Sequence, residues 1–275
     1  MAPPRLALLP VAALVATLSL AGCEEHTVAV RFEPEVGDVY RFQADVETQV
    51  VRTVDGVTAD ESDTATLDAT QTVQAVADDE VLVRIALQRD DAAPRTIDVR
   101  LDRASRLTAI DLVEGVPAEA LGLDVAMDLP ADIGSPPTGP LEPGDRWEIL
   151  REVSLGGLSR PVLVQGRGRI DSLGVEGGRE VAVAVVELDV PVRTILDTVD
   201  GRVRLVGTQR TSSETAYDLA DGALRRDRTV TEGDVEVIAE PPAGVDAEPL
   251  RGDIDYRIVT RTRRLGRNTE AASSP

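Results

Sequence analysis

The chain has 275 residues, a formal net charge of −20 and a single cysteine, Cys23, and all of its basic residues are arginine. This acidic balance argues against nucleic acid as a partner, because phosphate binding requires clustered basic side chains. One cysteine cannot form an intramolecular disulfide, so the fold must depend on its apolar core. Aromatic residues make up only 2% of the chain, which predicts an aliphatic core.

Residues 1–22 differ in composition from the rest of the chain. They include Arg5 and no acidic residue, and the apolar run over residues 6–20 is shorter than the roughly 20 residues of a membrane-spanning helix. A positive start, a short apolar run and small residues at its end are typical of a secretory signal peptide. An ordinary signal peptide with a chance cysteine near its cleavage site is the alternative.

The signal ends in Leu20-Ala21-Gly22-Cys23, which resembles the lipobox of bacterial lipoproteins. The resemblance implies recognition of Leu20, Ala21 and Gly22 by the signal peptidase, diacylglyceryl transfer to the Cys23 thiol, and cleavage before Cys23. Two or more acyl chains anchor a protein stably in a membrane. We therefore expect a lipidated tether over residues 23–27 on the extracytoplasmic face of the cell membrane, with the covalent lipid as the only cofactor. The sequence does not distinguish an anchor in the inner membrane from one in the outer membrane.

After the tether, apolar and polar residues alternate with a period of two, which predicts β-strands. β-branched residues and threonines fill these runs, as the half-buried face of an antiparallel sheet prefers. The predicted strands of a first half cover residues 38–53, 63–77, 80–89, 95–103 and 106–113. Those of a second half cover residues 145–154, 161–173, 179–190, 202–220 and 223–230, with a last alternating run around residues 254–258.

Glycine-containing sites between these runs predict tight turns, because glycine and its acidic neighbours tolerate positive φ angles. They are Asp55-Gly56, Asp200-Gly201, Asp221-Gly222, residues 176–178 and residues 232–234. Helical spacing predicts one short helix over residues 116–129, with Pro117 in its first turn.

The predicted fold class is all-β, with antiparallel sheets arranged as a curved sheet, a sandwich or a half-open barrel. A first β half covers residues 28–129 and a second covers residues 145–265. Five prolines over residues 130–144 indicate an extended connector between them, and residues 266–275 are predicted to be a disordered tail. The sequence does not decide whether the two halves form one domain or two.

Two local similarities suggest that the halves are duplicates. Residues 32–40 parallel residues 141–147, since each has an apolar residue, a proline, Gly-Asp and an aromatic residue that opens a strand. Residues 99–107 resemble residues 217–224, each with an aspartate at a strand end. The alternative is that Gly-Asp precedes strands in many unrelated β proteins.

Together, the lipobox and the Gly-Asp-aromatic strand openings resemble uncharacterised β-rich lipoproteins, with a domain of unknown function, of actinobacteria and other GC-rich bacteria. A more distant likeness, of architecture only, is to envelope lipoproteins whose half-open barrel carries lipids or lipoproteins. Likeness of architecture does not transfer function.

The chemical inventory argues against an enzyme. The only histidine, His26, lies in the tether, so a histidine-dependent triad or zinc site in the folded domain is excluded. We therefore expect no catalytic and no metal-binding residue. A carbohydrate-active enzyme with paired carboxylates is a less favoured alternative, because few aromatic residues are present to bind sugars.

The leading hypothesis is a non-enzymatic binding or scaffold lipoprotein of the cell envelope, with an envelope protein as partner. The alternative is a carrier of a lipid or other apolar small molecule inside a curved sheet. A carrier needs an open apolar cavity, which alternate strand residues would line: Val81, Val83, Ile85, Val181, Val183 and Val185.

The lipobox makes a direct prediction about processing. Wild-type protein should lack residues 1–22 and carry a diacylglyceryl group on Cys23. Cys23→Ser removes the thiol, so this variant should keep residues 1–22, whereas Ser19→Ala leaves the motif intact and should be processed normally. Mass spectrometry of the N-terminal peptide checks this. Wild-type protein that begins at Met1, or that has an unmodified Cys23, would contradict the prediction.

Overall fold

The computed structural model describes residues 27–90, 92–121, 134–153, 162–198, 201–242 and 248–269. Within them the chain is nearly all antiparallel β, which confirms the predicted fold class. The strands are β1 (Asp38–Val54), β2 (Val57–Val76), β3 (Glu80–Arg89), β4 (Arg95–Asp102), β5 (Leu107–Val113), β6 (Val116–Pro117), β7 (Arg146–Val153), β8 (Val162–Glu176), β9 (Arg179–Thr198), β10 (Gly201–Asp218), β11 (Leu224–Glu240) and β12 (Leu250–Thr269). No helix in these ranges is long and apolar enough to cross a membrane.

The strands form one curved sheet in the order β6-β5-β4-β3-β2-β1-β12-β11-β10-β9-β8-β7. We call β1–β6 the N-terminal unit and β7–β12 the C-terminal unit. Successive hairpins lead outwards from β1 and then, from the opposite edge, back to β12, so the last strand pairs with the first. Among the described residues β6 and β7 do not pair, and the sheet stays open. The two halves therefore form one continuous sheet.

The N-terminal unit opens with a turn at the Gly-Asp pair. Gly37 has a positive φ of 89° and donates its N–H to the carbonyl of Val73 at 2.9 Å. The Asp38 carboxylate accepts the N–H of Glu35 at 2.8 Å, and the Asp38 N–H donates to the Glu35 carbonyl at 3.1 Å. These bonds direct the chain into β1, where Tyr40 is fully buried.

The C-terminal unit opens with the same set of bonds. Gly144 has a φ of 93° and donates to the carbonyl of Ile170 at 2.7 Å. The Asp145 carboxylate accepts the N–H of Glu142 at 2.8 Å, and the Asp145 N–H donates to the Glu142 carbonyl at 3.0 Å. Trp147 then takes the place of Tyr40. The sequence similarity is thus a similarity of backbone structure.

Strand irregularities recur in the two units. A register shift interrupts β2 between Val73 and Ala75, and another interrupts β8 between Ile170 and Ser172. Val73 and Ile170 are also the residues that accept the glycine N–H of the two opening turns. The bulges therefore stand at equivalent positions, as a duplication requires.

The β4–β5 and β10–β11 turns correspond as well. The N–H of Asp102 donates to the Arg106 carbonyl at 2.8 Å, and that of Asp218 donates to the Ala223 carbonyl at 3.0 Å. In both turns the aspartate carboxylate also accepts the N–H of the residue two positions later. This is the second similarity predicted from the sequence.

The core lies on one face of the sheet. Residues paired across strands share a face, and we call the face of Tyr40 and Phe42 the inner face and its opposite the outer face. The buried clusters that pack against the inner face comprise Phe32, Tyr40, Phe42, Val73, Val81, Val83, Val99 and Ala223 in the N-terminal unit, and Leu141, Ile149, Val162, Val164, Ile170, Ala184, Val186, Leu188 and Val190 in the C-terminal unit.

Residues 28–35 cross the inner face where β1 begins. The N–H of Phe32 donates to the Arg103 carbonyl at 2.7 Å, in a turn of the N-terminal unit. The N–H of Glu33 donates to the Asp221 carbonyl at 2.8 Å, in a turn of the C-terminal unit. This segment thereby connects the two units directly.

The turn predicted at residues 232–234 is wrong. These residues continue β11, and Gly233 pairs with Gln209 on one side and Tyr256 on the other. A Cβ on Gly233 would lie 2.3 Å from the Tyr256 ring. The glycine therefore makes room for an aromatic ring, and the strand extends well past residue 230, where the sequence predicted its end.

The tail predicted from residue 266 is also wrong in its first part. Residues 266–269 belong to β12, because Arg267 pairs with Tyr40 across the strands and its guanidinium binds Asp38. Residues 270–275 lie outside the described residues.

The predicted helix and connector are described in part. Residues 116–117 form β6, Ala118–Leu121 form a 3₁₀ helix, and residues 122–133 lie outside the described residues. Residues 134–144 contain an isolated bridge at Leu141 and no strand. The predicted turn at Asp55-Gly56 is confirmed, with φ angles of 51° and 76°.

A second glycine lies beneath an aromatic ring, in β8. Gly168 pairs with Trp147, and a Cβ on Gly168 would lie 2.1 Å from the indole Cε2 atom. Gly168→Ala should therefore push the ring out of place and lower the free energy of unfolding by about 1–3 kcal/mol. Urea unfolding followed by circular dichroism measures the loss. Gly174→Ala on the same strand is the control, since nothing lies within 4 Å of its Cβ position. Equal stability of the two variants would refute this packing.

Candidate functional site: an open groove and a buried ionic cluster

The predicted lipidation site precedes the described residues. Leu20, Ala21, Gly22 and Cys23 lie outside them, and the description begins at Thr27. Val28 then forms a two-way backbone bridge with Leu141, at 2.8 Å in both directions.

The residues predicted to line an apolar cavity are not brought together. Val81 and Val83 are fully buried on the inner face, in the cluster with Tyr40. Val190 also lies on the inner face, and alternation along β9 places Val181 and Val183 on the outer face, where both are buried. The predicted lining is therefore divided between two faces and is packed against other side chains.

The two units meet in a cluster of buried charged residues. Asp38 begins β1, Asp218 ends β10 and Asp221 lies in the turn that follows, and all three are at most 1% exposed. Arg264 and Arg267, near the end of β12, complete the cluster. We call these five residues the ionic cluster.

Each arginine of the cluster binds two carboxylates. Arg267 contacts Asp38 at 2.7 Å and Asp221 at 3.0 Å through separate nitrogens. Arg264 contacts Asp221 at 3.4 Å and also binds Asp218, so Asp221 bridges the two guanidinium groups. Buried charges of this kind stabilise a fold only as a complete set, because removal of one leaves an uncompensated partner.

Tyr40 lies beside the two guanidinium groups. Their central carbons are 5.9 Å and 5.6 Å from the ring centroid, within the range of cation–π attraction. Burial raises the pKa of the Tyr40 phenol, and the Asp221 carboxylate raises it further. The phenol therefore stays protonated near neutral pH and donates to Asp38 at 3.4 Å.

The pKa of Asp218 is lowered. Burial alone would raise this pKa, but the Ala220 N–H and the guanidinium groups of Arg264 and Arg179 together outweigh it. Each carboxylate of the cluster thus has a bound guanidinium group. The cluster fixes the seam between β1 and β12.

A groove of about 1420 Å³ opens on the outer face across β8 to β12 and β1. Most of its lining side chains belong to that face: Gln49, Val51, Leu163, Gln165, Asp189, Pro191, Arg193, Ile195, Thr208, Arg210, Glu232, Asp234, Asp255 and Arg257. Its volume exceeds the roughly 300–1,000 Å³ of most small-molecule pockets.

Charges of alternating sign cross the groove floor. Asp189, Arg210, Glu232 and Arg257 follow one another on neighbouring strands. Arg210 contacts Asp189 at 3.1 Å, and Arg257 contacts Glu232 at 3.0 Å. Such exposed pairs contribute little to stability, so they are free to exchange partners with a bound molecule.

A second row contains two opposed acids. Asp234 and Asp255 face each other across β11 and β12, and neither forms an ion pair within the described ranges. Both are exposed. Over the same ranges no three potential ligand side chains converge on a metal position.

The sequence indicated neither site. Asp38, Tyr40 and the Asp221-Gly222 turn drew attention as strand openings and turns, while Arg264 lay beyond the last predicted alternating run and Arg267 lay in the predicted tail. The available signal was the run of β-branched residues after Tyr256, which continues the strand composition through Ile258, Val259, Thr260 and Thr262 toward Arg264.

Comparison with known protein families gives no matching family, and comparison with curated proteins gives no matching protein.

The ionic cluster predicts a pH dependence of stability. Because the pKa of Asp218 is lower in the folded state, its stabilisation is complete above the ordinary aspartate pKa of about 4 and is lost as the pH falls through the lowered value. Asp218→Asn should reduce the free energy of unfolding at pH 7 by about 3–5 kcal/mol, and by much less at strongly acidic pH.

Urea unfolding at several pH values measures this difference. Asp189→Asn, which removes an exposed carboxylate paired with Arg210, is the control and should change little. The same modest loss in both variants at pH 7 would contradict the structural role of the cluster.

Proposed function

We propose that the protein is a lipid-anchored, non-enzymatic binding lipoprotein on the extracytoplasmic face of the cell envelope. Cys23 carries the lipid, the groove on the outer face is the binding surface, and an envelope protein is the partner. The observation that carries the proposal is the open groove with charges of both signs, set far along the sheet from the end where the chain enters it.

The position of the groove suits an anchored protein. Residues 24–27 alone separate Cys23 from Val28, so Val28 would lie within about 20 Å of the lipidated residue. Gln49 lies eleven residues after Asp38 on β1, which is roughly 36 Å at 3.3 Å per residue. The entry end of the sheet would therefore face the membrane, and the groove would be held clear of the lipid headgroups.

The lining of the groove favours a protein as the bound molecule. Leu163 and Ile195 are large exposed apolar residues at one end, beside the charged rows. Protein interfaces combine apolar contacts with a polar, charged rim in this way. An apolar ligand would leave the groove charges desolvated and incompletely paired, at a cost in free energy.

Photo-crosslinking in intact cells tests the proposal. A photoreactive phenylalanine at Thr208, in the groove, should give a discrete crosslinked product with an envelope protein. The same residue at Val57, exposed on the β1–β2 hairpin outside the groove, is the control. Arg210→Glu should reduce the product about tenfold or more, because it sets a third acid between Asp189 and Glu232.

Identical products from Thr208 and Val57, or a product that Arg210→Glu leaves unchanged, would contradict the groove as the binding surface. A stoichiometric lipid found by mass spectrometry in the purified mature protein, beyond the lipid on Cys23, would favour the carrier alternative instead.

A further inference from the structure

The two equivalent opening turns differ in one respect. Asp38 is fully buried and is bound by Arg267 from the neighbouring strand. Asp145, its equivalent, accepts the same turn hydrogen bond from Glu142 but is exposed and has no cation partner among the described residues. The same motif thus occurs once with a guanidinium partner and once without.

The cause of the difference is the number of neighbouring strands. β1 has two neighbours, β2 and β12, and the arginine comes from β12. In the described part of the chain β7 pairs only with β8. Among the described residues no strand pairs with the outer edge of β7 beside Asp145, and such an edge is a template for another strand.

We propose that the outer edge of β7 accepts an extended strand of another envelope protein, antiparallel to β7, with an arginine opposite Trp147. The geometry is that of the β1–β12 pair, in which Arg267 lies opposite Tyr40 and its guanidinium reaches Asp38. Backbone hydrogen bonds along the edge supply affinity, as in other cases of strand addition. The arginine–Asp145 pair fixes the register.

Side chains of β7 fit such a partner. Trp147 is half-buried and can offer its ring to a guanidinium, as Tyr40 does to Arg267 at 5.6 Å. Leu150, on the other face of β7, is 67% exposed and gives the incoming strand an apolar contact. The chain's net charge of −20 favours a basic segment over an acidic one.

This surface is the edge of the sheet and not the groove, so the inference does not depend on the groove; only the choice of an envelope protein as partner rests on the proposed function. The probe is a labelled peptide with the sequence of residues 257–269, the part of β12 that pairs with the start of β1 in the structure. In β12 this sequence brings Arg264 and Arg267 to the equivalent turn.

Binding of this peptide to the mature protein is measured by fluorescence anisotropy, and its position by hydrogen–deuterium exchange. We expect slower exchange over residues 146–153, with unchanged exchange over β1. Asp145→Asn in the protein should weaken binding about tenfold, and so should replacement of Arg267 by alanine in the peptide. Glu148→Gln, on the same strand but on the outer face, is the matched control and should bind as the wild type does.

Several outcomes would overturn the proposal. One is no binding, or equal binding by the Asp145→Asn variant. Another is slow exchange, in the free protein, of the β7 amides that point away from β8, which would mean that the edge is already covered. Protection of β1 instead of β7 would mean that the peptide displaces β12. The last is self-association of the wild-type protein in sedimentation experiments that the Asp145→Asn variant lacks, which would mean that the partner is a second copy of the chain.

Discussion

The pairing of β1 with β12 is the contact on which the rest of the sheet depends. Every other strand pair joins strands that follow one another along the chain, whereas Asp38 and Arg267 are 229 residues apart in sequence. Bringing them together has a loop-closure cost that no local turn can offset. Without this seam the N-terminal and C-terminal units would be two separate open sheets.

The ionic cluster explains how the seam keeps its register. Asp38 is fixed by the turn before β1, and Asp218 and Asp221 by the turn between β10 and β11. Each aspartate accepts a backbone N–H of its turn through a carboxylate oxygen. Arg264 and Arg267 can satisfy all three carboxylates in one register only. A slip of one residue would turn these two guanidinium groups to the outer face, away from the buried carboxylates that they bind.

The two units share their opening turns, their bulges and their aspartate turns, and the differences between the units give the molecule distinct surfaces. β3, β4 and β5 have 10, 8 and 7 residues, whereas β9, β10 and β11 have 20, 18 and 17. The longer strands extend beyond the core, and the groove opens on this extension. The first strand of one unit is enclosed by the seam, and the first strand of the other is the edge of the sheet.

Local sequence patterns predicted much of the fold. β3 is predicted over residues 80–89, as it is observed, because alternation and its flanking turns depend on neighbouring residues alone. The paired Gly-Asp openings were recognised for the same reason. Gly233 misled the prediction because a glycine in a turn and a glycine beneath Tyr256 look alike in sequence, and only the paired strand distinguishes them.

Other features could not be predicted from the sequence because they depend on the order of the strands in the sheet. Alternation within β3 and β9 does not say which face of each strand is turned to the core, so Val83 and Val183 were assigned to one cavity. The ionic cluster and the groove likewise combine residues from strands far apart in the chain. These residues come together because β1 pairs with β12. The sequence did not predict that pairing, since it was compatible with one continuous sheet and with two domains.

Native-state hydrogen exchange directly tests the role of the β1–β12 pairing. If it joins the two units, the amides of β1 near Phe42 and of β12 near Thr262 should be among the slowest in the mature protein and should exchange only through global unfolding. Exchange at the seam as fast as in β5 and β7, with β2 and β10 still protected, would mean that the units are held together in another way.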